Sequence, residues 1–158
     1  MKKLILLVSV CILSVSALSD TGIGVSFQGN DGRVYIPHDL SDSLRIEPSI
    51  RYYKMKFSNN LDVENYEIGI GLFYKKETIK NMRILIGARA GYIDLDQTAL
   101  NASSGDGYFI APALGFEYFI GEKFSIGGEV ALNYRKTTQD TFNSFTGTDT
   151  SLSARFYF

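Results

Sequence analysis

Between Leu44 and Phe57 the chain reads L-R-I-E-P-S-I-R-Y-Y-K-M-K-F. Leu44, Ile46, Pro48, Ile50 and Tyr52 hold alternate positions, and Arg45, Glu47, Ser49 and Arg51 lie between them. Successive side chains of a strand point to opposite faces, so this alternation predicts a β-strand with one apolar and one charged face. The same period recurs along the chain. Thr21 to Gln28 sets Ile23, Val25 and Phe27 against Gly22, Gly24 and Ser26, and a short strand is expected around Arg33 to Pro37. Val63 to Lys75, Met82 to Asp96, Tyr108 to Ile120 and Phe124 to Lys136 repeat the pattern, and Leu152, Ala154, Phe156 and Phe158 alternate with Ser153, Arg155 and Tyr157 at the end. Eight strands result.

The intervening segments are breaker-rich: 29–32, 38–43, 58–62, 76–81, 97–107, 121–123 and 138–147. Three short connections (38–43, 76–81 and 121–123) alternate with others that include the two longest, Gln97–Gly107 and Thr138–Gly147. Short turns at one end and long loops at the other are the plan of an antiparallel up-and-down barrel that spans a membrane.

Counting the charges tells which face meets lipid. Six of the seven arginines (Arg45, Arg51, Arg83, Arg89, Arg135, Arg155) and four of the seven glutamates (Glu47, Glu67, Glu117, Glu129) share the face opposite the apolar one. Gly69, Gly71, Gly87, Gly91, Ala113, Gly115 and Gly127 share it too, as expected of a crowded interior. The nine lysines fall in the N-terminal segment, turns and strand ends. Tyr74, Tyr118, Phe124 and Phe158 end the apolar face on the short-turn side; Tyr52, Tyr66, Tyr92, Tyr108 and Tyr134 end it on the long-loop side. Two aromatic girdles around an aliphatic band ~25 Å tall are a lipid-facing surface. The prediction is therefore an all-β, eight-stranded transmembrane barrel whose polar lumen is filled by side chains, because eight strands leave an interior only that wide. The ten charged residues above are expected to pair there, a geometry arginine favours. Pro48 and Pro112 each call for a bulge or local break, since proline cannot complete a ladder.

Bulk properties fit. The 158-residue chain is sized for one domain, and its mean hydropathy of −0.01 is too polar for a helical membrane protein. Met1-Lys-Lys followed by an apolar run to Ala17 reads as a cleavable secretory signal, residues 1–19, with the barrel domain at 20–158. Cys11, the single cysteine, lies inside that signal, leaving neither disulfide nor thiolate metal site. Loss of Lys2 and Lys3 leaves a net charge of −3, which argues against nucleic acid as a partner.

The eight-strand plan, the Leu44–Tyr53 strand and the terminal Arg155-Phe-Tyr-Phe158 together resemble the small outer-membrane β-barrel family typified by outer membrane protein X and the membrane domain of outer membrane protein A. The resemblance implies location in a bacterial outer membrane. It also implies that Phe156 and Phe158 serve as the C-terminal signal for the outer-membrane assembly machinery. No periplasmic peptidoglycan-binding domain is expected after Phe158.

Candidate chemistry is sparse. Enzymes of this architecture that act on lipid A use a histidine near a serine and an acid. His38, the single histidine, has Asp39 and Ser41 as neighbours, and is expected to be a solvated turn residue. Asp94, Asp96 and Asp106 flank a long loop and are expected to be solvated rather than a metal site. Lys54, Lys56 and Lys136 lie at the loop end of the outward face, where they would meet lipopolysaccharide phosphates or simply snorkel. The sequence thus predicts a non-enzymatic, monomeric, cofactor-free barrel presenting its long loops for envelope integrity or surface contact. The alternative is a porin-like narrow channel for small solutes through the Arg/Glu lumen.

Overall fold

The computed structural model describes residues 21–29, 31–57, 61–96, 105–137 and 144–158, without the side chains of 53–57, 61–64, 95, 96, 105 and 145. The expected signal segment lies outside this range. The strands are β1 (Gly22–Gln28), β2 (Asp31–Tyr35), β3 (His38–Asp39), β4 (Leu44–Phe57), β5 (Leu61–Ile79), β6 (Met82–Asp96), β7 (Gly105–Phe119), β8 (Phe124–Thr137) and β9 (Ser144–Tyr157). All pair antiparallel in one sheet, β1 on β9 and β2 on β4, which closes the barrel.

Nine segments make eight staves, because β2 and β3 are one strand interrupted. Tyr35↔Ser49 and His38↔Ile46 belong to the same register on β4. The gap is chemical. Ile36 donates its N–H to the Pro48 carbonyl at 2.9 Å, but Pro48 has no N–H to return, and Pro37 has none either. The expected linker His38–Ser43 is thereby corrected: His38 and Asp39 extend the strand, and only Leu40–Ser43 turn. Pro112 behaves alike. Rungs between β7 and β8 run to Ile110↔Tyr134 and resume at Ala113↔Ala131 in the same register, while the β6 side keeps Ala88↔Pro112. In an antiparallel ladder the N–H and C=O of one residue point to the same neighbour, so a proline damages one ladder only. Each proline makes a break without a bulge.

A bulge occurs instead between Glu77 and Ile79, where β5 outruns its expected end at Lys75 and turns at Lys80–Asn81, with Asn81 at φ 65°. Following rungs from Val25 through Val34, Ile50, Ile68, Tyr92, Tyr108 and Lys136 arrives on β9 at Ser144, whereas the direct partner of Val25 is Ala154. That ten-residue stagger tilts the strands and holds the tyrosines of one girdle level around the wall.

The apolar face points out. Ile50, Ile70, Leu72, Ile86, Leu114, Val130 and Leu132 are all exposed, as are both sets of girdle aromatics. The core is the lumen. Charged residues enter it from β4 through β9. Among them Phe73, Leu85, Ile93 and Phe109, each no more than 3 % exposed, form an apolar cluster on β5 to β8 with Ala111, Ala113 and Ala131. This apolar cluster was not anticipated. Glycine makes it possible: a Cβ on Gly91 would come 2.8 Å from the Phe109 ring, and one on Gly71 would come 2.6 Å from that of Phe73.

Candidate functional site: the charged lumen

Because the barrel fixes which residues face inward, the ten expected lumen charges converge, and the structure arranges them in three levels. At the short-turn end Arg45, with no exposed surface, bonds Asp39 through Nε at 2.6 Å and Glu117 through Nη1 at 2.9 Å. Glu117 also accepts hydrogen bonds from Ser125 at 2.6 Å and the Tyr157 hydroxyl at 2.5 Å. Lys75 pairs with Asp39, and Arg83 approaches the same carboxylate at 3.7 Å while its Nε reaches Glu77 at 3.3 Å. The Arg83 guanidinium lies 4.6 Å from the Phe119 ring centre, at the edge of an open cleft formed with the Lys80–Asn81 and Gly121–Glu122 turns.

At mid-barrel Arg89 is a clamp. Its Nε and Nη2 bind both oxygens of Glu129, at 2.9 and 2.8 Å, and Nη2 also reaches Glu47 at 2.6 Å. β6, β8 and β4 are thereby tied across the interior. The same guanidinium lies 4.7 Å from the ring centre of Phe73 and 5.6 Å from that of Tyr35, so the charged network meets the apolar cluster there. Arg155 stands between levels, 3.9 Å from Glu47 and 3.8 Å from Glu117.

Toward the loop end Arg51 bonds Gln28 at 3.1 Å and Asp31 at 3.0 Å, with Glu67 and Asp149 each at 3.6 Å. Arg135 reaches Glu67 at 2.7 Å, and Asn133 donates to Asp149 at 2.8 Å. Buried charges survive when neighbours and hydrogen bonds compensate desolvation, and here carboxylates are shared between cations rather than matched singly.

Sequence reasoning missed several members. Asp39 was assigned to a turn, yet its place opposite Arg45 puts it inside. Lys75 was read as a strand-end lysine, although its parity with Phe73 already pointed inward. Asp31 lay in the expected turn 29–32, and Asp149 between the expected loop 138–147 and the last strand. Arg33, the seventh arginine, shares the inward parity of Asp31 and Tyr35 on β2, as its rung with inward-facing Arg51 requires.

Other candidates fall outside this network. His38 is buried at 5 % exposure rather than solvated, with Nδ1 2.8 Å from the Thr21 hydroxyl. Asp39 faces the lumen instead, and the Ser41 hydroxyl accepts the backbone N–H groups of Ser43 and Leu44 within its turn. Three residues close in sequence thus point to three separate places. Asp94 and Asp106 share a rung on the outer rim, both exposed, and Asp106 accepts the Tyr92 hydroxyl at 3.1 Å. The Asp96 side chain lies outside the described set; among the described residues no three acids, histidines or cysteines are grouped to hold a metal. Lys136 is exposed on the outward face beside Tyr108, lining a small cleft with Tyr92 and Asp106. Lys54 and Lys56 occupy β4 rungs opposite Glu64 and Asp62, and their side chains are not among those described. Phe156 and Phe158 lie outward near the C-terminal rim, their rings edge to face at 6.1 Å. Most of the two long loops also falls outside the described residues.

No protein-family model and no curated protein matches the chain. Solved structures do. Neisserial surface protein A is 17 % identical, with a TM-score of 0.65 over 89 % of this chain and 94 % of that one. A major outer membrane protein from Thermus thermophilus is 11 % identical, with a TM-score of 0.60 over 89 % of this chain and 99 % of that one. With these neighbours, the closed antiparallel barrel of eight staves has the fold of the small outer-membrane β-barrels.

Proposed function

We propose that the chain is a non-enzymatic, plugged barrel of a bacterial outer membrane that presents its long loop-end connections for envelope integrity or surface contact. The observation that carries this reading is the filled lumen: Arg89 clamps Glu47 and Glu129 across the interior, and Phe73, Leu85, Ile93 and Phe109 form a buried apolar cluster in the same lumen. A side-chain-filled cross-section supports a scaffold over a solute route. In this reading residues 1–19 are removed on export, Phe156 and Phe158 are recognised by the assembly machinery, and the barrel is monomeric among outer-membrane lipids. Lys54, Lys56 and Lys136 face lipopolysaccharide at the loop-end rim.

Two measurements test it. Liposomes containing the barrel should admit a pentose no faster than protein-free liposomes; rapid swelling would favour the channel reading. Changing Lys54, Lys56 and Lys136 together to Gln should lower the lipopolysaccharide that copurifies, and unchanged lipid content would remove that contact from the account.

A further inference from the structure

Every lumen arginine but one reaches a carboxylate: Arg45, Arg51, Arg83, Arg89, Arg135 and Arg155 each lie within 4.0 Å of at least one. The exception is Arg33. Among the described residues, no carboxylate oxygen comes within ion-pairing distance of it. Its rung partner on β4 is another arginine, Arg51, and on β1 it faces the buried Ser26. Arg89 is also within electrostatic reach, as are Glu67 and Glu129. Those two carboxylates already bind Arg135 at 2.7 Å and Arg89 at 2.8 Å. Like charges on one rung repel, and more strongly where the dielectric is lower than in water.

Arg33 is half-buried, unlike the sealed Arg45, and lies close in sequence to the turn at Gly29. Part of its surface is therefore open to a small solute. We propose that Arg33, opposite Arg51 and beside the Ser26 hydroxyl, holds a small tetrahedral oxyanion of the inorganic phosphate class at the outer end of the lumen. An anion there turns the repulsion between Arg33 and Arg51 into two attractions. The planar guanidinium fork of Arg33 matches two oxygens of such an ion, and the Ser26 hydroxyl offers a further donor. Arg51 contributes its field while remaining on Asp31 and Glu67. The site requires no opening through the barrel.

The test uses the full barrel folded in detergent micelles, with phosphate replacing chloride at constant ionic strength. Wild type should show a saturable rise in melting temperature, on the order of 4 °C at ten times the dissociation constant. Arg33→Gln should abolish the saturable part and, in chloride alone, melt no lower than wild type because the repulsion is gone. Arg33→Lys, which keeps the charge and loses the fork, should retain part of the rise. General salting effects of phosphate act on all variants alike and do not saturate. A wild-type rise preserved in Arg33→Gln would overturn the proposal, as would no saturable rise in wild type. Phosphorus-31 line broadening on wild type gives a reading that does not depend on any variant folding; unbroadened phosphate would equally overturn it.

Discussion

Arg89 ties β4, β6 and β8 together across the interior. It makes three charge-assisted hydrogen bonds to two carboxylates and lies near two aromatic rings, while only 4 % exposed. Removing one partner of a buried charge cluster leaves the others uncompensated, so Arg89→Ala should destabilise the barrel by about 3–5 kcal/mol. Adding Glu47→Gln and Glu129→Gln to that variant should recover much of the loss, since the cost lies in orphaned charge more than in missing attraction. Urea midpoints read from the compact, unboiled gel band measure both; a loss below ~1 kcal/mol for Arg89→Ala would mean a wet, solvent-screened lumen. Parity alone named Arg89 and nine other members from the sequence. It could not pair them, because the ten-residue stagger decides which strands meet at one height. It also passed over Asp39 and Lys75, whose strands were taken to end too soon.

Among elements, β4 shows how register is held. Its rungs place Arg45, Glu47 and Arg51 inside and Leu44, Ile50 and Tyr52 outside on a single register with β5. A slip of one residue would exchange those sets, and each arginine moved into lipid near the midplane would cost ~2–4 kcal/mol. The same cost applies to an engineered charge. Ile70, outward between Pro48 and Ala90, is a central wall position, so Ile70→Arg should destabilise the folded band by ~2–4 kcal/mol, whereas Lys136→Arg at the rim should be near neutral. Equal effects from the two would contradict the assignment of the outer face. Alternation made the strands legible where one face was apolar. It failed on Ser144–Ser151, where Thr146, Thr148 and Thr150 face out and Gly147, Asp149 and Ser151 face in: both faces are polar, so the part to Gly147 reads as loop and the rest carries no strand signal. It failed again past Pro37, because a residue that stops a ladder bond was taken to stop the strand. The prolines break hydrogen bonds without shifting register, which is why the barrel still closes around them.

At the scale of the whole molecule, a closed wall with two aromatic girdles surrounds an interior whose charged network and apolar cluster meet at Arg89. The fold and the inward charges were readable because a membrane barrel imposes opposite chemistries on the two faces of every strand. The apolar cluster was hidden, because Phe73 and Phe109 share the inward parity with arginines and glycines and look like exceptions until the glycines beside them are seen to make room. On the proposed reading, that cluster helps to fill the lumen. Single-channel recording of the purified wild-type barrel in planar bilayers tests this most directly. The account predicts no stable conductance steps beyond those of the bare bilayer. Stable steps that disappear on Arg83→Ala or Glu117→Ala would contradict it and assign the lumen to conduction.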